Sequence, residues 1–197
     1  MDEFIYILLL FCMKNYELVL MLNVSTTENA KKEFLSGVES KCKVLDKDDM
    51  GVQSLYFTLK GGVKQAYFVS YNIEAEDKEI EEIRNYLKYN TTLIRYEIFA
   101  RSAGQEFFFF EKLQAVFDKT IEEIKDKKYG QKVIFFTKEE NEKYINWKSI
   151  AILKYYLTRF GTIKPRFYTG NSVKIQKKLR KEIIRARGFG LLPFINH

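Results

Sequence analysis

The spacing of apolar and polar positions changes period several times along the chain. Residues 16–24, Tyr-Glu-Leu-Val-Leu-Met-Leu-Asn-Val, form a dense apolar run of strand length ended by Ser25, Thr26 and Thr27. Ala30, Phe34, Val38 and Cys42 then recur at four-residue spacing, which predicts an amphipathic helix that Thr26 or Thr27 can cap. Residues 46–51 read as a polar loop, and two strands over 52–59 and 65–73 flank Lys60-Gly61-Gly62 as a hairpin. Ile80, Ile83 and Leu87 among glutamates predict a second helix, which Asn90 can end, and residues 93–100 give a last strand. Strand, helix, strand, strand, helix, strand is the order of a ferredoxin-like split βαβ sandwich, an α+β fold. Right-handed crossovers put the helix-linked strands side by side at the centre, with both helices on one face and the other face left for a partner.

Beyond residue 101 the pattern becomes helical. Phe107, Phe108, Phe109 and Phe110 precede a stripe of Leu113, Phe117, Ile121 and Ile124. A solvent-facing row of four phenylalanines needs cover, so burial between domains is expected for them. Residues 125–128 are the most polar stretch, and 133–137 read as a strand. Ile150, Leu153, Leu157 and Phe160 predict a helix over 147–160 that Gly161 ends, and Ile163-Lys164-Pro165 turns the chain into a second one. In that second helix Ile175, Leu179, Ile183 and Ala186 fall on one arc and Lys174, Lys177, Lys178, Lys181 and Arg185 on the opposite one, widened by Arg180 and Arg187. Asn171 or Ser172 can cap its start and Gly188 can close it, with Leu191, Leu192 and Phe194 as covering residues.

Charge sharpens this division. From Trp147 onward twelve Lys or Arg face the single acid Glu182, a balance of +11 within a chain of formal charge +7, so the rest carries −4. A charge run is usually a solvated face, but here no carboxylate ladder four residues away neutralises it, and the cations are left for a polyanion. Phosphate contacts need long cations, hydroxyls and amides, and Lys164, Arg166, Thr169 and Asn171 add these to Lys174, Lys177, Lys178, Arg180, Lys181, Arg185 and Arg187. Tyr168 suits stacking on an unpaired base, and core packing serves a lone tyrosine equally well.

Chemistry of other kinds is poorly served. Cys12 and Cys42 are too few for a disulfide framework or zinc cluster, and the lone histidine, His197, gives no metal site or nucleophile relay. Asp46, Asp48 and Asp49 are expected in a solvated turn. Gly61-Gly62 lacks the lysine, hydroxyl and following helix of a phosphate loop. No enzyme, cofactor or metal is therefore expected. The apolar run 4–12 falls short of the ~20 residues that span a bilayer, and Asp2 and Glu3 stand where a targeting peptide wants cations. Met13-Lys14-Asn15-Tyr16 has the look of a start, which makes 1–12 an N-terminal extension.

Thr169-Gly170, Gln176, Leu179, Ile183, Arg185-Ala186-Arg187 and Leu191-Leu192-Pro193, with Gly161, Ile163 and Pro165 before them, resemble small-subunit ribosomal protein eighteen. Tyr16-Glu17, Leu55, Tyr67-Phe68-Val69, Tyr71, Ile73-Glu74, Leu93 and Arg95 are similar to small-subunit ribosomal protein six. Departures include Val52 and Gln53 where that family often has two arginines, and Phe167, Ser172 and Ile184 where the former has basic residues. The resemblances imply a fusion: an extension 1–12, a ferredoxin-like domain 13–101, a connector 102–130 and a small helical RNA-binding domain 131–197. They imply a structural constituent of the small subunit that binds its RNA on the platform, pairs its two domains intramolecularly and meets neighbouring small-subunit proteins. They imply no membrane and a location in the ribosome, in a bacterial cytoplasm or an organelle matrix. An extraribosomal RNA-binding module is the alternative. A ferredoxin-like hydrolase such as an acylphosphatase ranks last, because Ser25-Thr26-Thr27 has no adjacent arginine.

Overall fold

The computed structural model describes residues 13–59, 61–102, 105–125 and 135–195, without the side chains of 123–125 and 139. The extension 1–12 with Cys12, the polar stretch 126–128, Val133 and Ile134 of the expected strand, and His197 lie outside the described residues. The chain divides into two compact units, residues 1–53 with 65–107, and residues 54–64 with 108–197.

In the first unit the apolar run becomes β1, Lys14–Asn23, the pivot of a four-stranded sheet. It pairs antiparallel with β3, Val63–Ala75, and β4, Leu93–Ala100, so that Leu18 lies opposite Tyr71 and Ile98, and Leu20 opposite Val69 and Tyr96. With β2, Lys43–Leu59, the order is β2-β3-β1-β4, the split βαβ arrangement with β1 and β3 central. Helix α1, Glu28–Glu39, turns Phe34, Leu35 and Val38 inward, and α2, Asp77–Lys88, turns in Ile80, Ile83 and Leu87. These six meet Leu18, Leu20, Leu22, Val69, Tyr71 and Ile73 in one core cluster. On the opposite sheet face Val19, Met21 and Phe68 also have no solvent exposure.

Three local readings change. Residues 46–51 are not a loop but part of β2, because partners satisfy the aspartates there: Asn72 donates to Asp46 at 2.8 Å, and Tyr67 and the Gly51 amide donate to Asp49. Gly51, at φ 68, supplies the left-handed backbone that lets the strand continue through this polar sequence. Thr27 occupies the N-cap of α1 without a side-chain bond. Cys42 lies past the end of that helix, half-buried, its thiol pushed up to about 11 by burial.

In the second unit α3, Phe110–Lys125, buries Leu113 and Phe117. Phe117 stands edge-on to Phe135 and Tyr144, with ring centroids 5.7 and 6.4 Å away. Phe108 to Phe110, like Phe107 at the end of the first unit, are half-buried, and Phe108 tilts against Tyr144 at 5.9 Å. Residues Phe135–Thr137 form a 3-10 turn instead of strand, fixed where the Phe136 amide donates to the Tyr156 hydroxyl at 3.1 Å. The helix expected over 147–160 shrinks to α4, Ile150–Leu153, with a 3-10 turn at Lys154–Tyr156. Beyond it Leu157 bridges Ile163 antiparallel. The Thr158 and Thr162 hydroxyls bond each other at 2.6 Å and Gly161 takes φ 82, a tight turn that outcompetes the helix and leaves Phe160 exposed.

The basic helix itself holds. After the single turn α5, Arg166–Thr169, helix α6 runs Val173–Gly188 with Ile175, Leu179, Ile183 and Ala186 buried as predicted. Ser172 is its N-cap, accepting from the Ile175 amide at 3.3 Å. Gly188 does not close it: Phe189 is the C-cap, and the left-handed residue is Gly190 at φ 77. Leu191 and Leu192 are buried, whereas Phe194 is exposed and not a cover. Within this unit the hairpin end meets the residues after α6, where the Tyr56 amide donates to the Gly190 carbonyl at 2.8 Å and Leu55 and Phe57 flank Gly190.

Candidate nucleic-acid interface

Pro165, extended at φ −66, enters the one-turn helix and Gly170, left-handed at φ 72, leaves it. The turn is tied to α6 by Gln176, whose side-chain oxygen accepts from the Thr169 hydroxyl at 3.2 Å and the Asn171 amide at 3.3 Å. Its amide donates to the Lys164 carbonyl at 2.9 Å. Thr137 donates to Asn171 from the other side. Thr169 and Asn171 are consequently buried and shape the turn from within. Gln176 was legible only as part of a resemblance, because its role depends on a tertiary contact.

The cations separate into two groups. Lys174 pairs with Glu142 at 3.1 Å, and Lys178 lies 3.8 Å from the same carboxylate while donating to its carbonyl. Arg185 pairs with the buried Glu182 at 2.8 Å, and Glu182 also accepts the Trp147 amide. Arg187 donates to the carbonyls of Pro193 and Gly161 with its guanidinium over the Phe194 ring, and burial lowers its pKa. Lys164 donates to the Tyr155 carbonyl at 2.8 Å, its pKa likewise lowered by burial. Glu182 is therefore not the sole acid facing these cations; Glu142 reaches them from far along the chain, which helical spacing could not reveal. Arg166, Lys177, Arg180 and Lys181 are the second group, exposed and with no ion pair or side-chain hydrogen bond among the described residues.

Arg166, Lys177 and Arg180 border an open groove of about 580 Å³ whose apolar lining includes Ile163, Pro165, Val173, Ile184 and Phe194, and Lys181 lines a neighbouring one with Lys177, Arg180 and Ile184. Ile184, placed within the basic arc, is half-exposed there. Tyr168 is 62% exposed, which removes the core-packing alternative, and Phe167 beside it is 78% exposed. Among the described residues no group of three or more His, Cys, Asp or Glu could hold a metal ion, and no helix is long and apolar enough to cross a membrane. A row of long, unneutralised cations beside an apolar floor suits a polyanion that also presents flat apolar surfaces.

The family model for ribosomal protein S6 matches residues 15–100, and that for ribosomal protein S18 matches residues 141–192. The chain is 42% identical to small ribosomal subunit protein bS18 of Mycoplasma capricolum over 73 residues, which make up 37% of this chain and 96% of that protein. To bS18 of Mycoplasma mycoides it is 44% identical over 73 residues, with the same shares. Among solved structures it is similar to 30S ribosomal protein S6 from Thermotoga maritima, at 16% identity and a TM-score of 0.42, covering 57% of this chain and 96% of that one.

Proposed function

The chain belongs to the S18 family of small-subunit ribosomal proteins and carries an S6 domain ahead of it in one polypeptide, and from that premise we propose that it binds small-subunit ribosomal RNA on the platform through its basic C-terminal helix. Both families are structural and non-enzymatic, and the chain is a structural protein of the small ribosomal subunit. The observation that carries the RNA reading is the row of Lys177, Arg180 and Lys181, exposed, with no anionic partner among the described residues, and with Lys177 and Arg180 lining the groove. Arg166 extends that row, Lys174, Lys178, Arg185, Arg187 and Lys164 supply positive potential behind it, and Thr169 and Asn171 hold its shape.

The S6 domain docks on the S18 domain in this reading, and the covalent link turns that pairing into an intramolecular event whose effective concentration the connector sets. The place of action is the ribosome, in the cytoplasm of a bacterium or the matrix of an organelle. Sucrose-gradient fractionation of native extracts tests it: the protein should travel with small subunits and stay with them at moderate salt. Recovery only from ribosome-free fractions at low salt would replace this reading by an extraribosomal RNA-binding module.

A further inference from the structure

Isolated exposed aromatics are ordinary on protein surfaces. Phe167 and Tyr168 are distinguished by being adjacent and rigidly mounted, with Arg166 lining a cavity beside Phe167. Their rings stand edge to face, with centroids 5.5 Å apart and planes at 85°, so together they form a corner with two differently oriented walls. The turn that carries them is pinned at both ends: the Tyr168 and Thr169 amides donate to the Pro165 carbonyl, and the Gly170 amide donates to the Arg166 carbonyl at 2.8 Å. Thr169 and Asn171, both buried, anchor it to Gln176 from beneath. Little backbone freedom is left to lose when a ligand arrives.

Beside the corner lies a second open cavity of about 350 Å³, lined by Arg166, Phe167, Gly170 and Asn171. Arg166 also lines the larger groove with Lys177 and Arg180, so one arginine is common to both spaces. Resting on the RNA-binding reading above, we infer that the Phe167–Tyr168 corner is a stacking site for an unpaired nucleotide of the bound RNA. The base lies on the aromatic wall in the smaller cavity, its phosphate turns to Arg166, and the strand continues past Lys177 and Arg180. A paired base inside a duplex cannot reach such a wall, so the site selects a loop or bulge over a stem.

The test uses the full chain and two RNA probes, a hairpin with a single-stranded purine loop and the same stem closed as a blunt duplex, titrated at several salt concentrations. The double variant Phe167→Ala/Tyr168→Ala should lose about five- to a hundredfold in affinity for the loop probe, the range of one stacked base. Its salt slope and its affinity for the duplex should match the unaltered protein, since no phosphate contact is removed. Phe167→Tyr/Tyr168→Phe should restore the loop affinity, and Trp147 emission reports that both variants are folded. Unchanged loop affinity in the alanine variant overturns the stacking site while leaving the helix reading intact. If the unaltered protein itself binds without a salt slope, the RNA reading falls and the stacking site with it. An alanine variant that keeps its RNA affinity but no longer enters small subunits would assign the corner to a neighbouring protein, which also overturns the inference.

Discussion

The backbone amide of Trp147 donates to the carboxylate of Glu182 at 3.1 Å, joining the segment ahead of α4 to the middle of the basic helix through a buried acid. The other oxygen holds Arg185 at 2.8 Å. Within a helix of cations this one carboxylate faces inward and serves the fold. Glu182→Ala should therefore cost about 3 kcal/mol, because it leaves a buried amide and a half-buried guanidinium without their acceptor. Glu182→Gln retains an acceptor and should cost about half as much. Urea unfolding followed by the fluorescence of Trp147, the protein's single tryptophan, measures both.

Replacing Lys177, Arg180 and Lys181 together by alanine should reduce the magnitude of the log-log salt slope of RNA binding by roughly two to three, at ~0.7 to 0.9 per phosphate contact. An unchanged slope would mean that these cations are only solvated. Lys32 and Lys41 in the first unit are exposed and serve as the control pair; Lys31 does not, being buried against Glu28 and Tyr67.

Glu142→Gln should act in the opposite direction. It removes the negative charge facing Lys174 and Lys178, and RNA binding should tighten with a slope steeper by up to about one to two. Filter binding across a salt series reads the change. Weaker binding in this variant would show that Glu142 positions the two lysines instead of neutralising them.

Gly170→Ala and Gly190→Ala should each cost about 1–2 kcal/mol, the penalty of an L-residue in the left-handed region. A Cβ at Gly170 would approach only the Thr137 hydroxyl at 3.9 Å, and one at Gly190 would meet Leu55 and Phe57 at 3.5 Å, ordinary contact distances. Backbone strain is thus the common cause, and the two losses should agree. A much larger loss at Gly190 would mean that Leu55 and Phe57 leave no room there.

Alkaline pH should unfold the protein through its tyrosines. Burial pushes the Tyr156 phenol up to about 12, and burial together with carboxylate acceptors raises Tyr67 and Tyr71 further. Unfolded tyrosine ionises near 10. Groups raised in the folded state give stability that is complete below pH ~10 and is lost as the pH climbs through their folded values. Absorbance titration should show a set of tyrosines that ionise only as the fold is lost. Tyr156→Phe should flatten the alkaline decline and lower neutral-pH stability by about 1–3 kcal/mol, because the Phe136 amide loses its acceptor.

Cleavage at an engineered protease site between Lys127 and Lys128 tests the proposed pairing of the S6 and S18 domains. The fragments should co-elute on a sizing column at micromolar concentration. Immediate separation of two folded fragments would overturn the proposed pairing, and would also mean that the packing of Phe117 on Phe135 and Tyr144 does not hold α3 to the rest of its unit.

The elements that showed in the sequence are those whose pattern is local. The run around Leu18 to Leu22, the Gly61-Gly62 hairpin and the Ile175, Leu179, Ile183, Ala186 stripe each carry their own periodicity, and each forms as expected. Asp46 and Asp49 hid the extension of β2 because their strand-compatible environment comes from Asn72 and Tyr67 on the adjoining strand. The stripe through Ile150, Leu153, Leu157 and Phe160 suggested a long helix, but the Thr158–Thr162 turn bends the chain before its last member is reached. Among the site residues, the basic arc could be read, while its division into partnered and free cations could not. Glu142 lies 32 residues from Lys174, a distance that no helical spacing encodes.

The bond from Tyr56 to Gly190 also sets a timetable. Chains are made from the N-terminus, and local elements settle before distant ones close. The first-unit strands can assemble early, but the hairpin end at Leu55 to Phe57 gains its backbone acceptor and its flanking residue only after residue 190 has been synthesised. Until then a growing chain presents an unfinished strand edge, and a product that stops short of this point keeps it. The hairpin end is in this sense a completion check, closed only in chains that have been translated through the whole basic helix.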